Sequence, residues 1–259
     1  MTIEQVRFIH VGDWEPDAKL GTEGRAYCEP AFDAFEYLFS HFLEDPPHLF
    51  FFTGDYANHS LFSEERLTDD RKWARKRFIR LFEILAKMRN DSGTRFYWTI
   101  ASHEWSAFKI GAWPFSLKSV ATTFRYFASP SGEVDYLPDL DVWVLGFGNL
   151  GGDKSRANYP NAEAYKRAAK DVWGRPENLS LKIERTCIVS ASDIMRGLQS
   201  VGAAYVGFGG HQWLHRRSGE RTFVLGRPYD TQEKGRLQPL FYVDGIVGGE
   251  VSLVRAPMP

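Results

Sequence analysis

The sequence predicts an α/β fold in which crossover helices join parallel strands. Three observations carry this. Over the first hundred residues, short apolar runs alternate with amphipathic helical stretches, the β-α-β-α-β order that makes neighbouring strands parallel. Four motifs, Asp13-Trp14-Glu15, Gly54-Asp55, Ser102-His103-Glu104 and Gly210-His211, each stand just past an apolar run. Open α/β sheets gather ligands at such strand ends. Aromatic residues make up 15% of the 259 residues, with eight Trp and twenty Phe, a composition that favours thick packed layers over disorder.

The elements follow in order. Val6 to Val11 reads as the first strand, ending at Gly12-Asp13. After a turn region, Phe32, Phe35, Leu38, Phe39, Phe42 and Leu43 recur at helical spacing, predicting a helix from Pro30 to Leu43 with Pro30 near its first turn. Leu49 to Phe52 is a continuous apolar run, as expected of a strand buried on both faces. Trp73, Phe78, Leu81, Phe82, Leu85 and Met88 mark a helix from Asp70 to Arg89, closed at Asp91-Ser92-Gly93. Phe96 to Ile100 is the next strand.

Residues 105–138 are aromatic but poorly periodic, and they read as an insertion over one end of the sheet. Strands follow at Val142 to Gly146, Thr186 to Val189 and Tyr205 to Phe208, with helices expected over Asn161 to Val172 and Ser192 to Val201. The tail reads as β-structure: Phe223 to Leu225, Leu240 to Val243, a turn at Asp244-Gly245, and Val251 to Val254. No repeat or linker divides the chain, so one domain over residues 1–259 is expected.

Bulk properties exclude some functions. A formal net charge of −1 leaves no global basic footprint for nucleic acid, so any such site must be a local patch. Arg71, Lys72, Arg75, Lys76, Arg77 and Arg80 form one such cluster on the second helix; a solvated face is the plain reading, and contact with DNA phosphates or an acidic partner the sharper one. Cys28 and Cys187 have no metal-like spacing and read as reduced thiols of a cytoplasmic protein. Nothing resembles a signal peptide, and no apolar run approaches the ~20 residues of a membrane helix.

Taken together, the motifs resemble those of the calcineurin-like metallophosphoesterases, and within them the SbcD-type DNA exonuclease subunits that partner SMC-like ATPases. Phe8-Ile9-His10-Val11-Gly12-Asp13-Trp14-Glu15 is similar to that group's first strand, which usually ends Asp-Trp-His. Phe52-Thr53-Gly54-Asp55 matches the motif whose Asp bridges two metals, and Ala101-Ser102-His103-Glu104 takes the place of Gly-Asn-His-Asp. Tyr205 to Arg216 resembles a segment normally reading Tyr-Val-Ala-Leu-Gly-His-x-His, and Leu225 to Pro228 the strand and Gly-x-Pro after it. The resemblance spans roughly residues 5–104 and 184–255. It implies a sandwich of mixed β-sheets flanked by helices, and a site where divalent ions assist phosphoryl displacement.

On that pattern Asp13, Glu15, Asp55 and His211 would hold metal, and His103 would act near the leaving group. Ser102, His215 and His59 are candidates for substitute ligands on the same pattern, His215 only by way of a bulge. Glu15 stands where the family has histidine, Ser102 replaces asparagine, Ser190-Ala191-Ser192 lacks the usual histidine, and Trp213 takes the place of another. One Mn or Mg ion is therefore expected rather than two, and none in the limit. The implied activity is that of a metal-dependent phosphodiesterase, a nuclease subunit in DNA processing. Implied partners are DNA, an SMC-like ATPase and a second copy of the chain. The alternative is a pseudoenzyme that keeps the scaffold and has lost catalysis; a third is a phosphoesterase for a small nucleotide or a phosphoprotein. His10, His103 and His211 also have a plain reading as buried, hydrogen-bonded histidines, and for His10 that reading leads.

Overall fold

The computed structural model describes residues 5–57, 61, 68–101, 122–129, 132–148, 182–191, 202–209, 216–217, 220–226 and 240–257. Strands β1 (Arg7–Gly12), β2 (Leu49–Thr53), β3 (Arg95–Thr99) and β4 (Phe124–Phe127) lie side by side and parallel. Strands β11 (Phe241–Ile246) and β12 (Val251–Arg255) extend this sheet antiparallel to β1, in the order β12-β11-β1-β2-β3-β4. A second mixed sheet comprises β5 (Glu133–Leu137), β6 (Val142–Phe147), β7 (Thr186–Ser190), β8 (Tyr205–Gly209), β9 (Arg216–Arg217) and β10 (Thr222–Leu225), in the order β5-β6-β7-β8-β10-β9. The fold is thus α/β with two mixed sheets and flanking helices, as expected.

Side-chain alternation along β1 explains the layering. Ile9 and Val11 face the helices α2 (Arg25–Glu44) and α3 (Asp69–Ser92), joining Phe35, Phe39, Phe52, Phe78, Phe82 and Trp98 in one aromatic core. Val6 and Phe8 face the other way and pack with Phe51, Tyr97, Val144, Val189, Tyr205 and Phe223 between the sheets. The outer face of the second sheet carries Leu145, Phe147, Ile188, Val206 and Phe208. The helices expected over Asn161 to Val172 and Ser192 to Val201 lie outside the described residues.

Helix α3 has the ends its sequence specifies. The Thr68 hydroxyl accepts from the Arg71 N–H at 3.4 Å, Asp69 and Asp70 sit in the first turn, and Gly93 closes the last turn at φ 74°, donating to the Arg89 carbonyl. Helix α2 starts five residues earlier than its proline suggests. Gly24, at φ 80°, breaks it from a short helix α1 (Leu20–Glu23), and Pro30 falls inside α2. The buried stripe from Cys28 through Ala31 and Phe35 to Phe42 holds the helix together across the missing Pro30 N–H.

Two other expectations change. The described part of the stretch read as an insertion supplies β4 to one sheet and β5 to the other. Its period was obscured because β5 is a half-exposed edge strand and both segments are short. Asp244 and Gly245 do not form a turn; they lie within β11, and the chain reverses over residues 247–250 with Gly248 at φ 76°. Asp244 accepts both arms of the Arg7 guanidinium, at 3.0 and 2.8 Å, and a Cβ on Gly245 would lie 2.6 Å from the Phe8 ring. These residues serve tertiary contacts. Cys28 and Cys187 are free and buried, and burial pushes the Cys28 thiol up to about 12. Among the described residues no helix is long and apolar enough to cross a membrane.

Candidate metal centre at the strand ends

The motifs of Asp13 and Asp55 reach one edge because the strands are in step. In the parallel register Gly12 pairs with Thr53, and Thr53 with Thr99, so β1, β2 and β3 end level. Asp13 and Asp55 follow two of those ends directly. The Asp13 N–H donates to the Thr53 carbonyl at 2.7 Å, and the Asp55 N–H donates to Asp13 Oδ1 at 3.1 Å. Asp13 sits at φ 39° and Gly54 at φ 84°. A non-glycine residue in this left-handed region costs on the order of 1–3 kcal/mol and is characteristic of functional sites; Asp is among the residues that tolerate it best.

Each Asp stands between a glycine and a buried aromatic residue. Trp14 packs against Phe35, Phe39, Phe52 and Trp98, and Tyr56 lies 6.0 Å from Trp14 between ring centroids. The aromatic side chains anchor the two turns in the helix-side core while the carboxylates remain at the strand ends.

Glycines then bring the second sheet to the same edge. A Cβ on Gly12 would lie 2.6 Å from Leu225 Cβ, and one on Gly209 only 2.3 Å from the Thr53 carbonyl carbon and oxygen. The ends of β8 and β10 therefore press on the ends of β1 and β2. Ser190, at the end of β7, is level with Phe208 of β8.

Beneath this edge lies a polar contact that the motifs do not include. His10 is fully buried on the face of β1 toward the second sheet. Its Nδ1 lies 2.5 Å from the Tyr205 hydroxyl and its Nε2 2.6 Å from the Thr53 hydroxyl. Burial lowers its pKa to about 3, so the ring is neutral, with one nitrogen donating and the other accepting. Burial also raises the Tyr205 pKa well above its ordinary value. Sequence reasoning treated His10 as structural and overlooked Thr53 and Tyr205; the one available signal was a histidine at a position where alternation calls for an apolar residue.

Asp13, Glu15 and Asp55 are all almost completely buried, and so is Asp17, which the sequence reading did not single out. Charges with so little exposure persist where cations or donors face them. Among the described residues, however, no three His, Cys, Asp or Glu side chains come together as a group able to hold a metal. His59, Ser102, His103, His211 and His215 lie outside the described residues.

The basic cluster of α3 is partly compensated within the protein. Arg77 pairs with Asp33 at 2.6 Å and with Glu36 at 3.3 Å, Arg80 pairs with Glu36, and Lys72 pairs with Asp69 at 3.2 Å. Arg75 donates twice to the Leu61 carbonyl, at 2.8 and 2.5 Å. Arg71 and Lys76 share the helix, Lys76 exposed to solvent and Arg71 partly so. A helix-surface spacing of i, i+3 and i+4 gathers these cations, but the acids of α2 and of the first turn of α3 meet Lys72, Arg77 and Arg80.

The chain is similar to solved structures, one of which supports its architecture. That structure, 12% identical, aligns with a TM-score of 0.53 over 98% of this chain and 100% of its own. A dimetal phosphatase from Danio rerio is 11% identical, with a TM-score of 0.46 over 97% of this chain and 99% of its own. The anchor of the Plasmodium inner membrane complex is also 11% identical, with a TM-score of 0.46 over 98% of this chain and 89% of its own. Among curated proteins no sequence matches. The calcineurin-like phosphoesterase family model matches residues 6–220. By that match, which covers most of the chain and strands of both sheets, the chain belongs to the calcineurin-like phosphoesterases.

Proposed function

We propose that this chain is a metal-dependent phosphodiesterase that acts on DNA as a nuclease subunit of the SbcD type. The observation that carries the reading is the contact between Asp55 and Asp13 at the shared strand edge. The motif resemblance supports the choice of DNA and of an SMC-like ATPase as partner. The α3 cations add little to it, because Lys72, Arg77 and Arg80 are already paired with acids.

The donor chemistry fits a hard divalent ion such as Mn or Mg. Asp13 and Asp55 supply carboxylate oxygens, the donors those ions take. Two carboxylates are too few for a full coordination sphere, so residues 102–104 and 210–215 would complete it. A bound ion would supply Lewis acidity to the phosphoryl group. The protein's part is positioning. The Asp55 N–H orients the Asp13 carboxylate, Thr53 fixes the Asp13 backbone, and the glycines at 12, 54 and 209 let the ends approach. His103 would deliver a proton to the leaving oxygen.

The test is cleavage of linear duplex DNA, and of a small generic diester, by wild type and Asp55→Asn with Mn. DNA cleavage that Asp55→Asn abolishes is the expected result. Diester turnover without DNA affinity would instead assign a small-nucleotide or phosphoprotein substrate. A second reading, a pseudoenzyme scaffold, is favoured by one observation: Asp13, Glu15 and Asp55 do not by themselves form a three-ligand group. Wild type that binds Mn and cleaves neither substrate would establish that reading.

A further inference from the structure

His10 occupies a position that side-chain alternation assigns to the core between the sheets, beside Phe8, Phe51 and Tyr205. An unbonded polar group there is costly, whereas a fully bonded one selects a single arrangement. Both ring nitrogens have partners, one on each sheet: Thr53 on β2 and Tyr205 on β8. The surroundings are shaped to the ring. A Cβ on Gly207 would lie 2.7 Å from His10 Nδ1, so β8 carries glycine where the imidazole sits.

Thr53 links this contact to the site. Its hydroxyl meets His10, its carbonyl accepts the Asp13 N–H at 2.7 Å, and its carbonyl is also the atom against which Gly209 is pressed. Gly54 and Asp55 follow immediately. Turning the Thr53 peptide would move Asp13 and Asp55 together and shift the end of β8 that leads to His211.

We propose that His10 and Tyr205 act through Thr53 as positioning residues for divalent-ion binding, clamping the two sheets at the separation the aspartates need. The inference rests on the metal-site reading above. None of the three side chains is assigned as a ligand; their effect is on where the ligands stand. Residues that orient metal ligands in this way change affinity by about 10–100-fold when removed.

The test compares Mn affinity by calorimetry at 25 °C, with the electron spin resonance signal of bound Mn as a second readout. The proteins are wild type, Thr53→Val, Thr53→Ser and Tyr205→Phe. Thr53→Val keeps the shape and removes the hydroxyl; it is expected to weaken Mn binding by about tenfold or more, with Thr53→Ser restoring it. Tyr205→Phe, the milder change, is expected to weaken binding by at least about threefold and decides the matter if Thr53→Val does not fold. Affinities unchanged in folded variants, with only the melting temperature lowered, would make the contact mere packing and overturn the inference. Wild type that binds no Mn would overturn the metal-site reading and this inference with it. The two failures are therefore distinct.

Discussion

The Asp55 N–H donates to Asp13 Oδ1 at 3.1 Å, so one candidate ligand holds the other in place through its backbone. The contact needs Gly54 between the two strands' ends, at φ 84°, where an added Cβ would lie 3.2 Å from the Asp13 nitrogen. A main-chain N–H thus orients the Asp13 carboxylate before any ion arrives.

Mn binding should therefore appear as stabilisation. At a concentration a hundred times its Kd, an ion bound only by the folded state stabilises by about 2.7 kcal/mol. Wild type should show a rise of several degrees in melting temperature (roughly 2–4 °C per kcal/mol is the scale for domains of this size). Asp55→Asn should show none, and a full shift in that variant would remove Asp55 from the site.

The glycines give a graded series. Gly54→Ala places a Cβ at left-handed φ and 3.2 Å from the Asp13 nitrogen, which should cost about 1–3 kcal/mol by urea unfolding. Gly209→Ala places its Cβ 2.3 Å from the Thr53 carbonyl, a backbone group that cannot swing aside. It should destabilise more than Gly54→Ala. The reverse order would mean that the sheets do not press together there.

His10 sets a pH dependence with a definite sign. Burial depresses its pKa from 6.5 to about 3 in the folded protein. Both states are neutral above the unfolded value. As pH falls below about 6.5 the unfolded chain takes up the proton and the folded protein does not, so stability is lost toward about pH 3. The expected slope is up to about 1.4 kcal/mol per pH unit. Comparing wild type with His10→Gln between pH 6.5 and 5 isolates this contribution from the carboxylates; parallel stability curves would show that the ring is not buried neutral.

The paired cations of α3 predict an unusual response to mutation. Glu36 meets both Arg77 and Arg80, so Glu36→Ala should free Arg80, leave Arg77 with Asp33 alone, raise affinity for nonspecific duplex DNA and steepen its salt dependence. Arg80→Ala should leave wild-type DNA binding nearly unchanged. If Arg80→Ala instead lowers the salt slope by about one, the arginine contacts phosphate directly.

Much of this was legible in the chain. The run Leu49 to Phe52 has no polar break because β2 is covered on both faces, by Trp14 and Phe39 on one side and Tyr205 on the other. The end of α3 could be read from Gly93 because a left-handed cap is a local requirement. The start of α2 could not, because packing of Cys28 and Ala31 against the sheet outweighs the local preference of Pro30. Nor could Asp244 and Gly245, which look like a turn and act as an ion-pair partner and a space for the Phe8 ring.

By itself the sequence determined the alternation of elements, the parallel order of β1, β2 and β3 and the placement of Asp13 and Asp55 after strands, since periodicity and turn chemistry act over a few residues. Only the tertiary structure decided that these strands end level, that Gly209 closes on Thr53, that His10 bridges the sheets to Tyr205, and that acids of α2 pair with Arg77 and Arg80 of α3. Those contacts join residues 40 or more apart in the chain. They depend on register and on the distance between layers, which no local pattern of residues encodes.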